Sequence, residues 1–164
     1  MILSEGLCRH SCFADATEES LKAIGAVSSE RDLGTGDVLF REGDAADHLY
    51  IVTRGEVDIE YVLGDGEPVV VDTIGPGELL GWSAIVPPYR MTATAVAGQD
   101  TRLVVIRAAE LRRLCAKDAV LGHGLMARVA HVVSQRLDAA CVQLATEEVV
   151  PAAVGSDTLA ARVH

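Results

Sequence analysis

At 164 residues the chain is long enough for one domain with a real core and short for two. Its 24 acidic residues outnumber 14 basic ones for a formal net charge of −10, a poor match to a polyanion, so direct DNA binding is not expected. No run of about 18 apolar residues exists to span a bilayer, and the opening MILSEGLCRH lacks the basic-then-apolar order of a signal peptide; the expectation is a cytoplasmic protein with no membrane contact.

Taken in chain order, the first feature is Cys8-Arg9-His10-Ser11-Cys12, three soft ligand types close together. No second ligand pair at zinc-like spacing accompanies it, so Cys8 and Cys12, one helical turn apart, read as small hydrophobes on the inner face of a short helix. With Cys115 and Cys141 they make four cysteines without a CxxC pair, read as reduced thiols with no structural disulfide. Residues 15–24 predict a helix, with Asp15 and Glu18 spaced as a capping box, Leu21 and Ile24 on one face and Gly25 as the stop.

From Gly36 to Arg107 the texture changes to short apolar runs: Val38 to Phe40, Leu49 to Val52, Val57 to Tyr61, Val69 to Ile74, Ala93 to Ala97 and Leu103 to Ile106. Gly43-Asp44, Gly64-Asp65-Gly66, Gly75-Pro76-Gly77 and Gly98-Gln99-Asp100 supply turn chemistry between them. Roughly six to eight strands at intervals of about ten residues predict an all-β sandwich or small barrel.

After Arg107 the period becomes helical again. Ala108 to Cys115 carries Leu111 and Leu114, and a longer helix is predicted from about Asp118 to Glu147. Met126, Val129, Val133, Leu137, Ala140 and Leu144 recur along it at three- and four-residue steps, and Leu125, Val132 and Cys141 widen the stripe beyond one covered face. This predicts a homodimer through the helix 120–146; a stripe that only seals the barrel is the alternative. Residues 149–164 carry no period and read as a flexible tail, leaving 1–148 as one domain.

The stretch GDVLFREGDAADHLYIVTRGEV, residues 36–57, followed by a hairpin, Gly75-Pro76-Gly77-Glu78, a short turn, an Ala-Thr strand and helices, resembles the cyclic-nucleotide-binding domain family, the catabolite-activator type of β-roll, over about residues 8–145. The resemblance implies a mainly β fold with flanking α: an eight-stranded jelly roll (double-stranded β-helix) with an N-terminal helix and C-terminal helices. It implies a small-molecule-sensing regulatory module, not an enzyme, whose ligand is a cyclic nucleotide (cAMP or cGMP). In the family a Gly-Glu carboxylate holds the ribose while a short helix N-terminus and an arginine hold the cyclic phosphate. A phosphate in a partly dry pocket needs such a bidentate cation and free N–H groups to offset its desolvation.

Residues 77–94, GELLGWSAIVPPYRMTAT, are where that ligand cassette falls. Glu78 matches the ribose-binding position, and Leu79 to Ile85 are expected as the short helix. The family's arginine, small residue, alanine motif aligns on Met91-Thr92-Ala93, which puts Met91 in the arginine's place and Arg90 one residue early. In an extended segment a one-residue slip sends a side chain to the opposite face. The candidate ligand-binding residues are Gly77, Glu78, Leu79, Leu80, Trp82, Ser83, Tyr89, Arg90, Met91 and Thr92. Two versions stand side by side: a rebuilt cassette in which Glu78 and Arg90 bind a cyclic nucleotide, or a site that takes another small ligand or none, filled by Trp82, Tyr89 and Met91.

Other chemistry is poorly supported. His48 stands alone where a cupin metal site needs a His-x-His pair, and His10, His123 and His131 lie in helical segments, so a cupin-like enzyme is the weaker alternative and no metal is expected. No nucleophile set or triphosphate loop is present. Glu42, Asp44 and Asp47 read as solvated turn acids, and Arg107, Arg112 and Arg113 as a surface basic spot paired to carboxylates. Only about 16 residues follow the long helix, so the domain is expected to stand alone, without a helix-turn-helix, and to report through a protein partner or the dimer. A constitutive interaction scaffold with a closed pocket is the rival class.

Overall fold

The structure is a computed structural model that describes residues 4–7, 9–62 and 64–163, with side chains described between residues 6 and 146 of these. Two compact units divide between Val129 and Ala130. The first holds a short helix α1 (Ser4–Leu7), a 3₁₀ turn at Ser11–Phe13, α2 (Glu18–Ala26), eight strands, α3 (Ala108–Lys117) and the start of α4 (Ala119–Val163).

The strands are β1 (Ser28–Leu33), β2 (Val38–Phe40), β3 (His48–Arg54), β4 (Val57–Val62), β5 (Pro68–Ile74), β6 (Leu79–Leu80), β7 (Thr94–Ala97) and β8 (Thr101–Arg107). They form two four-stranded antiparallel sheets, ordered β1-β8-β3-β6 and β2-β7-β4-β5. This is the jelly roll with flanking helices that the resemblance implied. One buried cluster joins the two sheets: Tyr50, Val52 and Leu103 from the first meet Val57, Ile59, Ala95 and Ala97 from the second. Tyr50 stacks on Phe40, ring centroids 5.8 Å apart, a contact between β3 and β2. Burial raises its phenol pKa.

Two strands were not anticipated. β1, SSERDL, has only its end residues buried, so it carries no apolar alternation. It is held by six paired positions along β8 and by the fork of Arg102, whose Nε and Nη2 lie 2.8 and 3.1 Å from the Asp32 carboxylate oxygens. β6 is two residues long, paired to Tyr50 and Ile51.

The helices correct several expected boundaries. α2 begins at Glu18 because Thr17, not Asp15, is the N-cap, its Oγ1 accepting the Ser20 N–H at 3.2 Å. Gly25 lies inside that helix instead of ending it. His10 precedes the 3₁₀ turn, and Cys8 lies outside the described residues. Cys12 is buried, as expected of a small hydrophobe, and burial pushes its thiol up to about 12. Cys12, Cys115 and Cys141 are free thiols.

Asp118 ends α3 and caps α4: one carboxylate oxygen accepts the N–H groups of Val120 and Leu121, and the other accepts the Ser20 hydroxyl at 2.5 Å, which ties the junction to α2. Those hydrogen bonds, the Ser20 one foremost, hold its carboxyl below the usual range. Along α4, Leu121, Leu125 and Val129 are buried. The segment 149–163, expected as a flexible tail, is helical in its backbone as far as Val163. Extending a nucleated helix costs far less than starting one.

The β3–β4 turn is the tightest point of the roll. Gly55 has φ 85°, and a Cβ there would press on the Asp100 carbonyl and the buried Thr101 hydroxyl. That hydroxyl lies 2.9 Å from the Glu56 oxygen and 2.8 Å from the Gln99 oxygen, and accepts the Glu56 N–H at 3.1 Å. Gly55→Ala is expected to destabilise the fold by more than the roughly 1–2 kcal/mol that a left-handed conformation alone costs, measured as a lowered midpoint in urea unfolding.

Candidate functional site

The cassette runs from the edge of one sheet to the middle of the other, leaving β6 and entering β7. It starts in the turn Gly75–Glu78, which is stitched to β3 by Gly77 N–H to Val52 O (2.8 Å) and Val52 N–H to Glu78 O (3.0 Å). Gly77 takes φ 85° to make that turn. The Glu78 side chain folds back on it, Oε2 accepting the Gly75 N–H at 2.6 Å, and is exposed. Its carboxylate therefore closes its own turn.

Leu79 and Leu80 are buried strand residues, so the short helix expected over Leu79 to Ile85 is instead β6 followed by one 3₁₀ turn, Trp82–Ala84. Gly81 makes the change of direction at φ 76°. A Cβ there would lie 2.9 Å from the Tyr50 ring and 3.1 Å from the His48 carbonyl, so only glycine lets the chain leave β6 this close to β3. Ser83 is buried and Trp82 half-buried.

Beyond the turn, Pro87-Pro88 is a cis peptide and Tyr89 has φ 57°. Residues 89–91 then run antiparallel to 43–46, joined by Ala46 N–H to Tyr89 O (2.9 Å), Met91 N–H to Asp44 O (2.9 Å) and Gly43 N–H to Met91 O (2.8 Å). The chain bends at residues 92–93 before β7, and burial alternates along it. Met91, Ala93, Ala95 and Ala97 are buried, while Thr92 is exposed. Arg90, one residue out of phase, is exposed on the other face, Nη1 donating to the Gly43 carbonyl at 3.0 Å. Met91, at 4% exposure, belongs to the same buried cluster as Tyr50, Leu80, Ala84 and Ala93.

The expected site residues thus divide. Leu80 and Met91 share the inner cluster, with Trp82, Ser83 and Tyr89 close in sequence on the crossing. The carboxylate of Glu78 and the guanidinium of Arg90 are each engaged by backbone on exposed surface.

One residue was missed. Arg112 on α3 donates Nη1–H to the Ala84 carbonyl, at the end of the 3₁₀ turn, and its guanidinium carbon lies 4.2 Å from the centre of the Tyr89 ring. In sequence it reads as part of a basic spot, and only Arg113 of that trio forms the expected carboxylate pair, with Glu110. Asp44 accepts the Arg41 N–H at 2.9 Å, a turn acid as expected. Among the described residues no group of three or more His, Cys, Asp or Glu side chains is placed to hold a metal, and no helix is long and apolar enough to cross a membrane.

Residues 30–118 match the cyclic nucleotide-binding domain family, and the chain belongs to it. A solved structure from Geobacter metallireducens, described as a cyclic nucleotide-binding protein, is 36% identical with a TM-score of 0.73, covering 84% of this chain and 99% of that one. The regulatory domain of Toxoplasma gondii PKA, crystallised with cAMP, is 27% identical with a TM-score of 0.62, covering 68% and 42%. A Rhodopseudomonas palustris protein described as a potassium channel is 30% identical over 112 residues, 68% of this chain and 27% of its own length. The match spans less than half the length of the Rhodopseudomonas palustris protein and of other curated relatives.

Met91 is a load on the core as well as a marker of phase. Met91→Ala is expected to cost about 2–5 kcal/mol, the range for truncating a buried side chain, whereas Arg90→Ala stays within about 0.5 kcal/mol as an exposed substitution; chemical denaturation of both variants checks the contrast.

Proposed function

We propose that this chain is a non-catalytic regulatory module that senses a small molecule at residues 77–92, through a cassette that has lost its phosphate grip. Membership of the family supports the regulatory role, and cAMP in the Toxoplasma gondii structure supports a ligand of nucleotide size. The observation that carries the rest is the phase of the crossing strand, with buried Met91 where a phosphate-binding arginine is expected and Arg90 outside. A buried thioether offers a phosphate nothing to offset its lost hydration. Occupancy would act by population shift, favouring one arrangement of the Trp82–Ala84 turn and of the helix after the roll.

The rival reading, a constitutive scaffold, is favoured by the same burial, since Met91 and half-buried Trp82 fill space a ligand would use. Calorimetric titration with cAMP and cGMP addresses both. The wild type is expected to bind neither at micromolar affinity, and Met91→Arg, if folded by circular dichroism, to gain at least about tenfold, the worth of one charge-assisted pair. Micromolar binding abolished by Glu78→Ala and Arg90→Ala would support the sensing role and overturn the loss of the phosphate grip.

We further propose a cytoplasmic homodimer through helix 120–146, reporting to a protein partner. Met126, Val133, Leu137, Ala140 and Leu144 follow alternating three- and four-residue steps if Ala130 is included, the spacing of a coiled-coil seam. Met126, Leu137 and Leu144 are 46%, 62% and 62% exposed, so their burial against a second copy would be favourable. Light scattering after size exclusion is expected to give twice the 17.3 kDa chain mass, halved by Leu137→Glu. A wild-type monomer at micromolar concentration would count against the dimer.

A further inference from the structure

α3 meets the cassette through Ala108, which shares the buried cluster of Leu80, Ala84 and Met91, and through one polar side chain. Among the described residues, the bond from Arg112 Nη1 to the Ala84 carbonyl is the only side-chain hydrogen bond between 108–117 and 77–92. The rest of α3 is anchored elsewhere: Ala108 N–H to the Asp47 carbonyl at 2.9 Å, Leu111 in the core, and the Asp118 junction on Ser20.

The same guanidinium covers the Tyr89 ring. A planar, delocalised cation can stack on an aromatic face and still direct an in-plane N–H at a carbonyl, which an ammonium cannot do from one position. Tyr89 is the only non-glycine among the described residues with positive φ, a conformation that a bulky side chain keeps only where its surroundings hold it. Backbone bonds hold it on one side, Tyr89 N–H to Val86 O at 3.2 Å and Ala46 N–H to Tyr89 O at 2.9 Å. Arg112 holds it on the other. One residue thus grips both the end of the 3₁₀ turn and the strained residue that returns the chain to the roll.

We propose that Arg112 is the positioning residue that latches the cassette to α3, so that a ligand shifting the Trp82–Ala84 turn releases or tightens α3, and anything that moves α3 alters ligand affinity by the same factor. This rests on the sensing role proposed for the cassette. The latch itself is a property of the free protein and is tested without ligand.

Trp82 is the only tryptophan in the chain and sits in the latched turn, so its fluorescence reports the cassette directly. Arg112→Ala, with far-ultraviolet circular dichroism unchanged, is expected to raise the acrylamide quenching constant of Trp82 about two-fold and to red-shift its emission as the turn opens locally. Arg112→Lys should behave like the alanine variant, and Tyr89→Phe, which keeps the ring face, like the wild type. Hydrogen exchange over 82–90 and 108–117 should quicken together. Tyr89→Leu attacks the same contact from the cassette side, so it must loosen α3, and its effect must not add to that of Arg112→Ala; it serves also if Arg112→Ala fails to fold. Unchanged Trp82 quenching in Arg112→Ala, or faster exchange confined to α3, overturns the latch. A cassette that binds no ligand would leave these results standing and sink only the sensing role.

Discussion

Side chains at residues 90–97 alternate between exposed or half-buried and buried, through a bend at 92–93 and into β7, and that parity decides which of them reach the core. Three backbone hydrogen bonds hold residues 89–91 against 43–46, so the segment cannot rotate to bring Arg90 inward without breaking them. The alanines of β7 fix which face is buried, because Ala93, Ala95 and Ala97 line the inner side of the second sheet. Met91 falls in step with them and Arg90 does not. A charged group on the inner face would face desolvation without a partner, whereas on the outer face it finds the Gly43 carbonyl and water. The interior at this point is therefore apolar by register.

The same crossing bears on the proposed coupling of the cassette to α3. The chain passes from one sheet to the other within a single short segment, turning at Gly81 and again at Tyr89, both with positive φ. Between these turns lie only the 3₁₀ residues Trp82–Ala84, then Ile85, Val86 and the two prolines, so displacement at Trp82 has little chain in which to dissipate. The Ala84 carbonyl is the end of that turn, and it is where Arg112 attaches. The far end of α3 is tied through Asp118 to α2, which limits how α3 can follow.

Much of this fold was legible because most strands bury one face and are closed by glycine turns. β2 was bounded to the residue, and β3, β4, β5, β7 and β8 to within a few, since each carries apolar residues flanked by turn formers. β1 escaped because an edge strand such as SSERDL owes its structure to its neighbour and to Arg102, not to its own pattern. β6 is too short for any period to register. At the site, the misphased arginine could be read from the position of Met91 before Thr92-Ala93, but the fate of Glu78 could not. Whether a carboxylate three residues after Gly75 turns back on that glycine depends on the turn geometry, which sequence pattern does not encode. Arg112 was invisible for a similar reason: its partners are 28 and 23 positions away and one of them is a backbone carbonyl.

A cassette without an inward arginine, as proposed, would transmit occupancy differently. Where a cation from the strand grips a phosphate, the ligand itself can draw the cassette and the strand together. Here the inner row offers only dispersion and apolar burial, which are weakly directional and do not favour one placement of the turn over another. Directional interactions lie on the outer side of the crossing, where one guanidinium joins a carbonyl and an aromatic face belonging to the cassette. On the proposed sensing role, an apolar guest would influence α3 by displacing that carbonyl or that ring, or by pressing on Ala108 in the shared buried cluster. On that proposal, steric displacement inside and a polar contact outside link occupancy to the helix, with shape in the role of the phosphate.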